Sequence, residues 1–210
     1  TRSWCDWSSD VCSSDLMRTQ DYLKIIHEDI HSVVVATLDN DGRPVTRVID
    51  MMLHDENSLY FLTAKGKEFY KQLMEQQYIA ISGMAGEGGS MSKRAFSVRG
   101  KVECIGSDKL DEIFESNPYM AEIYPQKESR IALQVFKLYE GNGEYFDLST
   151  KPITRESFVL GNATKVVGGY FITDRCRGCK MCYSKCPQKC IDLSKIGRAH
   201  VWTPVTSRSR

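Results

Sequence analysis

The sequence predicts a mainly β chain of the α+β class: a closed or partly closed antiparallel barrel with two inserted helices, followed by a small cysteine-rich module. Three observations carry this expectation. Between His31 and Thr150, short runs rich in β-branched and aromatic residues recur between turn signals. Two helical stretches interrupt those runs, and five of the eight cysteines fall between Cys176 and Cys190. The 210 residues, 41% hydrophobic and 26% charged, are enough for a real core and exclude a disordered tail or a collagen-like fibre.

Taken in order, Val33 to Leu38 is the first strand-like run, and Asp39-Asn40-Asp41-Gly42 is a hairpin turn in which Gly42 can take positive φ. Its partner is Pro44 to Leu53, and Leu59 to Thr63 is a third run. A helix over Glu68 to Glu75 precedes the fourth, Tyr78 to Met84. From Phe96 to Ile105 the pattern alternates, with Phe96, Val98, Val102 and Cys104 on one side and Ser97, Arg99, Lys101 and Glu103 on the other, as expected for a half-buried strand with Cys104 as a core thiol. Ser107 reads as the N-cap of a helix carrying Leu110, Ile113 and Phe114, stopped near Asn117-Pro118. Ile131 to Leu138 and Glu144 to Leu148 resume strand character around a Gly141-Asn142-Gly143 turn. Residues 17–150 are thus expected as the barrel domain, 151–164 as a linker and 165–195 as the cysteine module.

Charge narrows the partners. Twenty-eight Lys and Arg against 27 Asp and Glu leave a net charge of +1, so no basic excess drives nucleic-acid binding. No stretch approaches the roughly 18 to 20 consecutive apolar residues of a membrane span, and the N-terminus lacks the basic start and apolar centre of a signal peptide. A cytoplasmic protein with neither membrane nor nucleic acid as partner is expected.

Both ends depart from the rest. All three Trp lie there, Trp4, Trp7 and Trp202. Back-translation of Asp6 to Asp15 gives DNA whose reverse complement reads Ile196 to Val205, with Trp202 at a TGA codon. Segments 1–16 and 196–210 therefore resemble a sequencing adapter translated on both sides of an insert, and the functional reading leaves them out. On that reading the natural chain starts at Met17 and is cut off after about Lys195.

Residues 176 to 187 follow C-x2-C-x2-C-x3-C-P at every position, and clustered thiols in a chain without a secretory signal point to a metal or cluster site. The run resembles the bacterial ferredoxin loop around a [4Fe–4S] cluster, with Tyr170-Phe171-Ile172 and Ile191 as flanking strands. Cys176, Cys179, Cys182 and Cys186 are the candidate ligands. In two-cluster relatives the fourth cysteine serves the other cluster; with no second run here, Cys176, Cys179 and Cys182 would hold one cluster and Cys186 would be left over. A zinc knuckle is the competing reading, and Cys190 reads as packing.

Lys65-Gly66-Lys67 stands at the start of an expected helix, where free N–H groups and the helix dipole favour a phosphate, and Arg47 can complete a bidentate clamp. This corner, with Thr46 to Met51 and Tyr60 to Ala64 before it, resembles the FMN-binding split barrel of the pyridoxamine 5′-phosphate oxidase superfamily over about residues 17 to 150. The resemblance implies that Arg47, Thr63, Lys65 and Lys67 hold the flavin phosphate, with Gly66 between the two lysines also at the cofactor. It also implies that Val48, Ile49, Asp50 and Met51 line the isoalloxazine largely through backbone groups, that Ser97 and Arg99 reach the ring, and that the chain is a homodimer. Glu68, where relatives often have Ser-Arg or Ser-Lys, would repel a phosphate if it pointed inward.

Together these readings imply an FMN-dependent oxidoreductase that passes electrons between its flavin and a [4Fe–4S] cluster, supplied or drained by a small molecule or a redox protein. A non-catalytic redox sensor or electron carrier binding flavin or haem is the alternative, because no catalytic acid or base stands out. Residues for a second, substrate phosphate are not found, which argues against vitamin B6 oxidation. His27, His31 and His54 show no catalytic spacing to a Cys or carboxylate and read as ordinary surface or capping histidines.

Overall fold

Side-chain alternation fixes which side of each early strand faces inward. In β1 (Ser32–Leu38), Val33, Val35 and Thr37 are buried while Ser32, Val34 and Leu38 are exposed. Its hairpin partner β2 (Pro44–Asp50) runs antiparallel with Val35 opposite Arg47 and Val33 opposite Ile49. The connecting turn holds Gly42 at φ 76° and accepts from the Asp41 and Arg43 amides on the Asp39 carboxylate. These details come from a computed structural model that describes residues 17–150, 153–165 and 176–185.

The remaining strands are β3 (Leu53–His54), β4 (Leu59–Ala64), β5 (Tyr78–Ala85), β6 (Arg94–Gly106), β7 (Leu133–Asp147) and β8 (Thr154–Leu160). All pairings are antiparallel, in the order β2-β1-β5-β6-β7-β4-β3, with β8 added to β7. The helices are α1 (Thr19–Lys24), α2 (Glu68–Gln76), α3 (Leu110–Ser116), α4 (Tyr119–Ile123), α5 (Lys127–Arg130) and α6 (Met181–Lys185); a π-helical turn, Ile25–Ile30, continues α1.

The two ends of the sheet path, β2 and β3, are consecutive in the chain. Met51 N–H donates to the His31 carbonyl beside β1, and Met52 N–H donates to the Tyr60 carbonyl on β4, each at 2.8 Å. Two successive residues thus join both ends and close the sheet at one seam, as in a split barrel. Inside lies a core that includes Leu23, Ile26, Val33, Val35, Phe61, Phe136 and Leu138. A second cluster, with Tyr60, Ile113, Phe114, Met120 and Val135, packs α3 and α4 on the outside of β4 and β7.

Three expectations are corrected. Gly141-Asn142-Gly143 is no turn: β7 runs straight through it. A Cβ on Gly141 would strike the Arg99 carbonyl oxygen, and one on Gly143 would strike the Phe158 ring, so the glycines permit close approach of neighbours, a use of Gly that sequence does not distinguish from a turn. The 151–164 linker contains β8, paired with β7 from Gly141 to Asp147 and burying Phe158 and Leu160. The cap of α3 is Lys109 at φ 63°, not Ser107.

The chain divides into two compact units, residues 1–164 and 165–210. In the second, Gly178 and Lys180 take positive φ, 69° and 58°, turning the chain between successive cysteines just before α6. The adapter-like segments, Tyr170-Phe171-Ile172, Cys186, Cys190 and Ile191 lie outside the described residues. Among the described residues, no helix is long and apolar enough to cross a membrane.

Candidate functional site

The corner begins with a tight turn. Lys67 N–H reaches the Ala64 carbonyl at 3.3 Å, and Gly66 sits at φ 89°, which a residue with a Cβ resists. The turn delivers the chain into α2 with Lys67 as N-cap and no side-chain capping bond, so the first-turn N–H groups keep no side-chain acceptor. Lys65 and Lys67 are exposed; Thr63 is buried on the inward face it shares with Leu59 and Phe61.

Arg47 reaches the same turn from β2. Its guanidinium carbon stands 4.3 Å from the centroid of the Phe69 ring, in the first turn of α2. Nη2 donates to Gln72 Oε1 at 3.0 Å, which also accepts from Thr37 Oγ1 at 2.7 Å. Nη1 is buried and has no partner. Burial lowers the Arg47 pKa from its ordinary value, against the opposing charge of Glu68. Glu68 itself is exposed, with the Lys71 ammonium 3.7 Å from its carboxylate. A buried cationic donor without an acceptor, beside an uncapped helix N-terminus, suits an anion such as a phosphate.

The expected ring-lining residues separate. Val48 is exposed on the outer face of β2, and Ile49 is half-buried against the core. Met51 has its side chain fully buried and its N–H donating to the His31 carbonyl. Asp50 accepts from Ser32 Oγ at 2.6 Å and Tyr119 Oη at 2.9 Å. Ser97 and Arg99 are exposed on β6; Ser97 lines an open pocket of about 340 Å³ with Phe96, Glu144, Phe146 and Arg155. Pairing runs Val48, Val34, Ser82, Ser97 across the outer face, three strand steps or about 14 Å. Arg47 points to the opposite side of β2, so one chain does not bring Ser97 and Arg99 to the notch.

The histidines, expected to be unrelated, come together at the seam. His27 Nδ1 and His54 Nδ1 are 2.9 Å apart. His31 Nε2 lies 3.1 Å from Tyr119 Oη, which donates to Asp50. Burial, and then the charges of His54 and His31, lower the His27 pKa. Burial and the Asp50 carboxylate push the Tyr119 hydroxyl far up, keeping it a donor. In the second unit, Cys176 is half-buried and Cys179 and Cys182 are exposed, all as free thiols.

A family model, Pyridoxamine 5′-phosphate oxidase, matches residues 20–139. The chain belongs to this family. The match spans the barrel from α1 to β7 and includes the Arg47 corner and the histidine seam. Among curated proteins nothing matches. Of solved structures, a NimC/NimA family protein of Clostridium acetobutylicum is similar over 69% of this chain and 95% of its own, at 19% identity and a TM-score of 0.55. General Stress Protein 26 of Bacillus anthracis is similar over 69% and 100%, at 14% identity and a TM-score of 0.51. A heme binding protein of Mycobacterium smegmatis is similar over 64% and 55%, at 15% identity and a TM-score of 0.51. At such identities the likeness is one of fold.

Proposed function

We propose that this pyridoxamine 5′-phosphate oxidase family member is an FMN-dependent oxidoreductase passing electrons between its flavin and a [4Fe–4S] cluster. The observation that carries the flavin half is the partnerless Arg47 Nη1 at the uncapped start of α2. Arg47, Lys65 and Lys67 would hold the FMN phosphate together with the first-turn N–H groups of α2, and Thr63 would stand at the floor of the notch. Gln72 keeps the guanidinium in place through Nη2, leaving Nη1 for the ligand. As an end of the sheet path, β2 has main-chain groups facing away from β1, which suit the polar edge of a flavin ring. Once bound, FMN exchanges two electrons as hydride or passes them singly, and the cluster carries one at a time.

Support for the cluster half is the spacing of Cys176, Cys179, Cys182 and Cys186, together with the positive φ of Gly178 and Lys180, which bends the backbone between thiols. A homodimer completes the proposal. The outer face of β1, β2 and β5 carries exposed Val34, Val48 and Met84, and a second copy laid there would bring Ser97 and Arg99 toward the flavin of the first.

Arg47→Ala with Lys67→Ala is expected to weaken FMN binding at least tenfold by fluorescence titration; unchanged affinity removes the assignment. Protein prepared without oxygen and with iron supplied is expected to show flavin bands plus a broad absorption that bleaches on reduction and is lost in Cys179→Ser. Reduction of the bound flavin by NADH, NADPH or reduced ferredoxin with turnover supports an enzyme; an inert flavin makes the chain a carrier or sensor.

A further inference from the structure

We propose that His27, Glu28 and His54 form a binding site for one divalent late first-row transition ion, of the zinc type, at the barrel seam and apart from the thiols. Among the described residues, these three side chains place one ligand atom each within 4.8 Å of the others. Imidazole nitrogens bound to one such ion lie about 2.0–2.1 Å from it, which puts two neighbouring ligand nitrogens about 2.9–3.4 Å apart for angles between 90° and 109°. The His27 and His54 Nδ1 atoms are 2.9 Å apart, at the octahedral end of that range. Two imidazoles and a carboxylate are a donor set that zinc and its neighbours favour, with further positions left for water.

The surroundings are built to hold this arrangement. Both rings are half-buried, which limits their freedom, while Glu28 is exposed and open to an arriving ion. Glu28 and His27 sit on the π-helical turn Ile25–Ile30, and π turns gather at functional sites. The turn ends at His31 in a strained conformation, φ 57° and ψ −66°, anchored by the Met51 N–H. The same Met51-Met52 step that closes the barrel thus delivers His54 to His27. Lys24, 3.7 Å from Glu28, is the cation the ion would displace. Without an ion the two Nδ1 atoms can share a single proton, so a bare imidazole hydrogen bond is the competing explanation.

The test uses the full chain with Cys176, Cys179, Cys182, Cys186 and Cys190 each changed to Ser, so that the clustered thiolates take no part. Zinc chloride is added to metal-free protein at pH 7.5, read by calorimetry and by imidazole ¹⁵N spectra. One saturable equivalent of zinc is expected, with the Nδ1 signals of both His27 and His54 shifting together. His54→Gln and Glu28→Gln should each weaken binding at least tenfold; because Glu28 is exposed, its substitution spares the fold. Arg47→Ala should leave zinc binding unchanged, which separates this site from the flavin corner. Absence of saturable binding, histidine signals that stay put, or equal affinity in both variants would overturn the proposal in favour of the plain hydrogen bond.

Discussion

His27 shows how one side chain ties pH to stability. Its pKa is held below the ordinary 6.5 chiefly by burial, helped by His54 and His31. The folded ring therefore gives up its proton more easily than the unfolded one, and protonation favours unfolding. The contribution of the neutral ring is complete above the unfolded value and is lost as pH falls through the folded one. Thermal midpoints are expected to drop as pH goes from 7 toward 5 in metal-free protein, and His27→Gln should flatten that slope. A slope identical in the variant would show that other groups set it. Sequence spacing gave no hint of this residue's partner. His27 and His31 are one helical turn apart, but His54 reaches them only through closure of the seam, a long-range event. Arg47 was legible because a cation on a strand beside a Lys-Gly-Lys helix start is a local pattern; the unpaired Nη1 within it was not.

At the scale of elements, alternation made β6 readable, because one of its faces meets the core while the other does not, and runs of β-branched and aromatic residues marked β1 and β4. It failed where both faces are covered or where glycine serves packing. β7 touches β6 along its length, β4 over its first half and β8 over its second. Gly143 reads as part of a turn because the partner strand that needs it, β8, is hidden behind Lys151-Pro152, while Gly141 makes room for the Arg99 carbonyl of β6. Phe158 of β8 is the side chain that exploits Gly143, and it stacks on Tyr22 of α1 at 4.5 Å between centroids. Phe158→Ala should cost about 3–5 kcal/mol in urea unfolding, the usual range for a buried Phe. Gly143→Ala should also destabilise, by driving a methyl group into that ring. The double variant should be less unstable than the sum of the two, since the clash disappears with the ring. Strict additivity would mean that Gly143 is needed for some other reason, and that β8 does not dock as described.

For the whole molecule, the question is how residues on opposite sides of one sheet serve one cofactor. Arg47 faces inward from β2 while Ser97 and Arg99 face outward from β6, about three strands away. No rotamer change bridges a distance of about 14 Å through a packed sheet. If all three contact flavin, the outward pair must come from a second copy, and binding must depend on association. The exposed Val48, 69% accessible and beside the inward-facing Arg47, is where the two requirements meet. Val48→Glu would place a charge on the proposed contact face without touching the notch, and a charge in an apolar interface is costly. Light scattering should therefore find a homodimer for the unaltered chain and a shift toward monomer for Val48→Glu, with FMN affinity falling in parallel. Arg47→Ala should lose FMN yet stay dimeric. A Val48→Glu monomer that binds FMN as tightly as the parent would show that a single notch suffices, and would confine Ser97 to the pocket it shares with Glu144 and Arg155.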